Sequence, residues 1–117
     1  MNAQDQLPLA PRDLLILAVL VERPLHGYGI IKAVEDRSEA GVLLDPANLY
    51  RVLRRMRGLG WIKEAPHGSP DASRQGDSRR RTYEIAPGGR TLLAAELARL
   101  ERLLLQVRPA LAKGAEF

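Results

Sequence analysis

The residues best suited to chemistry lie in one short basic stretch near the middle of the chain. Four arginines occur within seven residues, preceded by an asparagine and a tyrosine, and the set comprises Asn48, Tyr50, Arg51, Arg54, Arg55 and Arg57. Guanidinium and amide groups can each form two hydrogen bonds with the edge of a base, and guanidinium groups also pair with phosphate. The stretch therefore predicts a nucleic-acid contact surface, with a merely solvated basic face as the alternative.

The helix that must carry these side chains begins at Asp45-Pro46. An aspartate can cap free backbone N–H groups, and proline already has the backbone angle of a first helical turn. Apolar residues then recur at helical spacing at positions Leu49, Val52, Leu53, Met56 and Leu59. Gly58 and Gly60 close the helix. We therefore expect this third helix to bury one face and to present its basic face to solvent.

Position along this helix separates two roles for its side chains. In a helix inserted into the major groove, the first turns approach base edges, while flanking groups bind phosphates. Asn48 and Arg51 are the base-edge candidates, with a local hydrogen bond and a solvated position as their respective alternatives. Arg54 and Arg55 are better placed for phosphate. Tyr50 either donates its hydroxyl to a phosphate or packs its ring beside the second helix.

Two helices are expected ahead of the basic helix. The first begins at Pro11 and carries the eight apolar residues 14–21, a run that a buried strand would also fit. Eight residues fall far short of the roughly 18 to 20 that cross a bilayer. Residues 1–9 lack the basic start of a secretory signal, so we expect neither membrane insertion nor export. The second helix is expected from around residues 26–29 through Glu39, with Gly41 as its stop.

Two strand-like runs follow the basic helix, at residues 61–64 and 81–85. The polar segment between them predicts a hairpin with a long tip, a feature called a wing. Arg79, Arg80 and Arg81 load the returning side of the hairpin with positive charge. They are candidate contacts to the DNA backbone or minor groove. The conformation of the tip, residues 66–78, is left open.

A leucine-rich helix is expected from about Pro87. Its apolar residues alternate in steps of four and three, through Leu93, Leu97, Leu100, Leu104, Val107 and Leu111. This spacing is typical of a coiled-coil seam and predicts dimerisation through this helix, chiefly by Leu93, Leu97, Leu100, Leu104 and Val107. Packing on its own domain is the alternative. Pro109 argues against a straight helix beyond Arg108.

Composition narrows the classes of function. The 117 residues include no cysteine, which excludes disulfides, zinc fingers and thiol nucleophiles and fits a reducing cytoplasm. Residues 51–90 hold ten Lys or Arg against four Asp or Glu, a local balance of +6, which favours a polyanionic partner. His26 has only His67 as a histidine companion and is expected to form a structural corner with Gly27 and Gly29. We expect no catalytic residues, metal site or cofactor.

Taken together, four motifs resemble the PadR-like family of bacterial transcription regulators over about residues 9–108. They are the apolar run 14–21 with residues 24–30, the segment 49–53, the segment 60–62, and the segment 80–85 leading to Gly88 or Gly89. The resemblance implies a winged helix-turn-helix domain, dimerisation through the terminal helix, and usually repression that a small molecule or stress relieves. Trp61 departs from the family pattern, which more often has leucine there, and is expected to be a bulkier core residue.

The combined prediction is a mainly α-helical protein with a small β-hairpin, of the α+β class. Residues 1–10 form an N-terminal arm, 11–86 a winged helix-turn-helix domain, and 87–117 a dimerisation helix and tail. We expect a cytoplasmic homodimer that binds an inverted-repeat operator in double-stranded DNA, with a small-molecule effector of unknown identity. The alternative is a protein-interaction module that makes no sequence-specific DNA contact.

Overall fold

The structure is a computed structural model, which describes residues 3–65 and 81–114. In chain order these ranges contain a 3-10 helix Ala3–Gln6, α1 Pro11–Glu22, β1 Leu25–His26, α2 Gly27–Arg37, α3 Pro46–Gly58, β2 Ile62–Glu64, β3 Thr82–Ile85 and α4 Pro87–Gly114. The predicted α+β class, with helices predominating and a small sheet, is confirmed. Residues 66–78, the predicted wing tip, lie outside the described ranges.

Helix α1 forms the centre of the core. Ile16, Leu17 and Leu20 are almost completely buried, and α1 packs against α2, α4 and β3. The apolar run is therefore a helix rather than the alternative strand, because a segment covered on several sides can be apolar all round. Within the described ranges, no helix is both long and apolar enough to cross a membrane.

Helix α2 begins at the structural corner expected around His26. The Nδ1 atom of His26 accepts a hydrogen bond from the backbone N–H of Gly29 at 3.1 Å, which caps the first turn. Ile30 and Val34 are buried on the inner side. The helix ends at Arg37, two residues before the predicted end, because residues 39 and 40 have φ angles of 53° and 63°, which a right-handed helix excludes.

Helix α3 begins at Pro46, as predicted, with one correction to its cap. Asp45 has the extended backbone of a cap residue, but its side chain makes no capping hydrogen bond. The buried face is confirmed for Leu49 and the three apolar residues after it, whereas Leu59 is 41% exposed because it follows the last helical turn. Gly60 has a φ angle of 81°, a left-handed conformation that glycine adopts readily and that stops the helix.

Among the described residues, the sheet has three antiparallel strands in the order β1-β3-β2, one more than the predicted hairpin. Ile62 of β2 pairs with Ile85 of β3, and both side chains are buried. On the other side of β3, Leu25 of β1 pairs with Tyr83. Strand β1 escaped sequence analysis because two residues are too few to show an alternating pattern. This added strand joins the corner before α2 to the wing.

The N-terminal segment packs against α4. Leu9 is buried, and its backbone N–H donates to Glu96 Oε2 at 2.8 Å. Glu96 is only 1% exposed, and the two guanidinium nitrogens Nε and Nη2 of Arg99 donate to its carboxylate at 2.5 and 2.9 Å. These charge-assisted hydrogen bonds from Arg99 hold the pKa of Glu96 below its usual range. A buried acid, satisfied on both oxygens, therefore ties the N-terminal segment to α4.

Helix α4 changes environment along its length. Leu92 and Leu93 lie in the domain core, whereas every residue from Glu101 to Gly114 is exposed. Leu93 is only 8% exposed and therefore packs within its own domain, which corrects its placement with the seam residues. Pro109 lies within the helix, which continues past Arg108 to Gly114.

Candidate nucleic-acid interface

Helix α3 presents its polar side to solvent. Asn48, Arg51 and Arg54 are all exposed, and the helix contains no acidic residue. Asn48 and Arg51 are three residues apart, so they lie on neighbouring turns of one helix face. The two base-edge candidates are thus adjacent on a surface that carries only positive charge along this helix.

A shallow groove between α1 and α3 extends this surface. It is lined by Asn48, Arg51, Val52 and Arg55 of α3, and by Arg12 of α1. Sequence analysis did not select Arg12, because nothing in the local sequence indicates that the start of α1 lies beside the start of α3. The one sequence feature that could have drawn attention to Arg12 is its position in the first turn of a helix, where the helix dipole usually favours acidic residues.

Tyr50 is half-buried and faces the start of α2. A Cβ atom added to Gly27 would lie 3.1 Å from the Tyr50 hydroxyl oxygen, so the phenol ring lies directly against the first turn of α2. This is the packing that sequence analysis left open as an alternative to phosphate binding. A phosphate contact by its hydroxyl stays a prediction. Gly27 permits the close approach because it has no side chain.

Arg55 is engaged by two residues from other elements. Its Nη2 atom lies 2.6 Å from Oδ2 of Asp13 in α1, and its guanidinium carbon lies 5.4 Å from the ring centroid of Trp61. Trp61 is buried, as expected for a bulky core residue, and its Nε1 donates to Gln6 Oε1 at 3.0 Å. Arg55 therefore faces the protein's own elements more than its neighbours Arg51 and Arg54 do.

Glu64 connects the base of the wing to α3. Its Oε1 atom accepts from Arg57 Nη1 at 2.8 Å and lies 3.2 Å from Nη1 of Arg81. All three side chains are more than two-fifths exposed, so these ion pairs contribute little to stability. Arg81, one of the predicted DNA contacts, thus lies beside β2 and close to α3. The other two, Arg79 and Arg80, lie outside the described residues.

The arrangement defines a class of protein. Helices α2 and α3 pack together as a helix-turn-helix pair, α3 exposes a basic face, and the antiparallel strands β2 and β3 follow it. The protein is a winged helix-turn-helix protein. It belongs to the PadR-like family of transcriptional regulators, whose family model matches residues 16–95. The chain is therefore a transcriptional regulator and not an enzyme.

Several solved structures share this fold. A PadR family transcriptional regulator from Eggerthella lenta is 25% identical, with 85% of this chain and 80% of that chain covered and a TM-score of 0.63. A PadR-like transcriptional regulator from Bacillus cereus is 18% identical, with 85% and 89% covered and a TM-score of 0.65. A PadR family transcription regulator from Clostridium difficile is 23% identical, with 84% and 98% covered and a TM-score of 0.62.

One curated relative is much longer than this chain. An uncharacterized 37.1 kDa protein in transposon TN4556 of Streptomyces fradiae is 32% identical over 91 residues. The match covers 78% of this chain and only 23% of that protein. The chain thus corresponds to a small part of the relative, and the likeness is confined to that part.

Proposed function

We propose that this protein is a cytoplasmic, sequence-specific regulator that binds double-stranded DNA as a homodimer and represses transcription until a small molecule or stress signal relieves it. The observation that carries the proposal is the exposed face of α3, a helix without acidic residues, where Asn48 and Arg51 lie three residues apart. An exposed helix of this chemistry matches the dimensions and hydrogen-bonding groups of the major groove.

The proposed contacts divide by chemistry. Asn48 binds an adenine edge through its amide, and Arg51 binds a guanine edge through its two-pronged guanidinium. Arg54, on the next exposed turn, pairs with phosphate and contributes affinity more than sequence preference. Arg81 and the two arginines before it direct the wing toward the DNA backbone or minor groove, where negative potential attracts arginine.

Selection of bound fragments from a random duplex library tests this function. We expect an inverted repeat to emerge and to bind about 10³-fold or more tightly than a scrambled duplex at the same salt concentration. Titration of both duplexes across a salt series separates phosphate contacts from base recognition. Equal, weak binding to every duplex would instead favour the protein-interaction module.

The dimeric part of the proposal is supported by the exposed half of α4. Leu97, Leu104 and Val107 are 47%, 49% and 59% exposed, and they continue the seam that the sequence predicts. Leu100 is half-buried beside them. When the α4 helix of a second protomer packs against this leucine stripe, both stripes are buried from solvent. Two recognition helices held about 34–36 Å apart would then match one turn of DNA, which gives an inverted-repeat operator.

Substitution Leu104→Glu tests the dimer. We expect the dimer dissociation constant to rise by about 100-fold or more, because each protomer would bring an uncompensated carboxylate into the interface. Operator affinity should fall as the protein becomes monomeric. Sedimentation equilibrium measures the first effect and duplex titration the second.

The matched control for this variant is Gln106→Glu. It adds the same charge two residues away, at an exposed position outside the seam. We expect it to leave the association of protomers nearly unchanged. If Leu104→Glu protein is still dimeric at the concentrations at which wild-type protein is dimeric, dimerisation through α4 is contradicted.

The effector in this proposal binds between the paired α4 helices and favours a spacing that does not fit the operator. Residues 87–113 contain no aromatic side chain, so the α4 segment itself supplies no stacking surface for a planar compound. The duplex titration, repeated with candidate compounds, measures this effect. Unchanged operator affinity in the presence of the compound that induces the regulated genes would exclude such a relief mechanism.

A further inference from the structure

Arg55 differs from the other arginines of α3 in what it binds. Its guanidinium pairs with Asp13 of α1 at 2.6 Å and lies over the ring of Trp61 at 5.4 Å. The partner carboxylate is nearly removed from solvent, since Asp13 is only 5% exposed. The Arg55 side chain is still 43% exposed, so its two contacts, and not burial, distinguish it from the exposed Arg51 and Arg54. Arg55 therefore links α3 to Asp13 of α1, 42 residues earlier in the chain, and to Trp61 in the turn that follows α3.

The burial of Asp13 makes this pairing difficult to exchange for a phosphate contact. The carboxylate has two cationic partners, Arg55 on Oδ2 and the Nε atom of Arg12 on Oδ1 at 3.2 Å. If Arg55 turned to a phosphate, Oδ2 would lose its charged partner while staying largely out of water. Loss of this partner is costly because the nearly buried carboxylate would keep only Arg12, on its other oxygen.

The stacking on Trp61 fixes the guanidinium from a second direction. The indole ring is buried, and its N–H is held by Gln6 of the N-terminal segment. A planar cation over an aromatic face gains electrostatic attraction and packing together, which an ammonium group reproduces only in part. The Arg55 side chain thus has contacts to α1, through Asp13, and to the turn before β2, through Trp61.

We propose that Arg55 is a positioning residue of the recognition helix and not a phosphate contact. By joining α3 to Asp13 and Trp61, it fixes the orientation of α3 within the domain and hence the approach of Asn48 and Arg51 to the bases. The inference rests on the proposed DNA-binding function. It replaces the phosphate role that sequence analysis assigned to Arg55.

The two roles have different salt dependence. A residue that neutralises one phosphate contributes about 0.9 to the slope of log affinity against log salt concentration. A positioning residue leaves that slope unchanged and instead affects the ratio of operator affinity to scrambled-duplex affinity. A residue that matters only for overall stability changes neither quantity at temperatures well below the melting transition.

The first test compares Arg55→Ala with Arg54→Ala on operator and scrambled duplexes across a salt series. For Arg54→Ala we expect a slope reduced by about 0.9 per protomer and a similar loss on both duplexes. For Arg55→Ala we expect an unchanged slope and a loss of about tenfold in the affinity ratio, comparable to one mismatched base pair. A reduced slope with an unchanged ratio for Arg55→Ala would overturn the inference.

Asp13→Asn provides the second test, because the two roles predict opposite effects. If Asp13 only withholds Arg55 from phosphate, removal of its charge should strengthen binding to the operator. If Arg55 positions α3, Asp13→Asn should lower the affinity ratio, and adding Arg55→Ala to it should cause little further loss. Tighter operator binding with an unchanged ratio would therefore contradict the positioning role.

These experiments also separate this inference from the proposed function. If wild-type protein shows no preference for any duplex, the proposed function fails and Arg55 has no recognition role. If wild type discriminates the operator and the Arg55→Ala slope falls, the function stands and the positioning role fails.

Circular dichroism melts of each variant identify any protein that is unfolded at the assay temperature, and Arg55→Lys then replaces Arg55→Ala. Arg55→Lys keeps the charge but not the planar stacking, so we expect the wild-type slope and an intermediate ratio.

Discussion

Replacing Arg51 with alanine is expected to remove most of the preference for the operator. Arg51 is exposed on α3 next to Asn48, so its guanidinium can reach a base edge once α3 enters the major groove. A two-pronged arginine–guanine contact is worth about 1–3 kcal/mol of discrimination. A symmetric dimer makes that contact in each half-site. Duplex titration should therefore show operator affinity approaching that of the scrambled duplex.

Two matched variants identify the cause of that loss. Arg51→Lys keeps the positive charge but not the fork, so we expect loss of base preference with a salt slope close to wild type. Arg57→Ala removes the same charge from the far end of α3, where Arg57 pairs with Glu64, and should keep the preference. Arg51→Ala protein that still discriminates the operator as wild type does would exclude Arg51 from base recognition.

Replacing Gly89 with alanine is expected to give the largest loss of stability. A Cβ atom at this position would lie 2.1 Å from the carbonyl oxygen of Trp61 and 2.9 Å from Cγ1 of Ile85. The first neighbour is backbone, so the start of α4 must move away from the sheet to relieve the overlap. Overpacking typically lowers the free energy of unfolding by about 1–3 kcal/mol. Because the backbone must move here, we expect a loss at or above the upper end of that range. Urea unfolding followed by circular dichroism measures the loss.

Gly58→Ala is the control for this substitution. Gly58 ends α3, and a Cβ atom there would meet nothing within 4 Å. Alanine has a higher helix propensity than glycine, so we expect unchanged or slightly increased stability, by up to about 1 kcal/mol. A Gly89→Ala protein that unfolds at the same urea concentration as wild type would show that α4 has room at its start.

The contact at Gly89 also explains the glycine pair that follows the last strand. The first turn of α4 approaches the turn after α3 so closely that a Cβ on Gly88 would lie 2.9 Å from the carbonyl oxygen of Gly60. The direction of the proposed dimerisation helix is thus set against the end of the recognition helix. Sequence analysis identified the glycines by resemblance, and the structure supplies their physical reason.

Much of the candidate interface could be predicted from local sequence. The boundaries of α3 follow from Pro46 at its start and Gly60 after its end, and its buried face follows from apolar residues at helical spacing. With that face buried, Asn48, Arg51 and Arg54 had to be exposed. The corner at His26 followed similarly from its isolation and from the glycines beside it.

The partners of individual side chains could not be predicted in this way. Arg54 and Arg55 are adjacent and chemically identical, yet only Arg55 meets Asp13, 42 residues earlier in the chain. Likewise, the pattern of the N-terminal segment gave no sign that Leu9 would bind Glu96, 87 residues away. Leu93 matched the seam by spacing but lies in the core, because periodicity defines a stripe and not what covers it.

The sequence by itself determined the order of the helices, the strands that flank the wing, the basic exposed face of α3 and the membership of the family. These properties depend on residues within a few turns of one another, where backbone geometry fixes which side chains share a face. Only the tertiary structure decided the third strand, the docking of the N-terminal segment, the pairing of Arg55 and the division of α4 into a buried and an exposed half. Those features depend on contacts between distant segments, which form where burial of apolar surface brings the elements together.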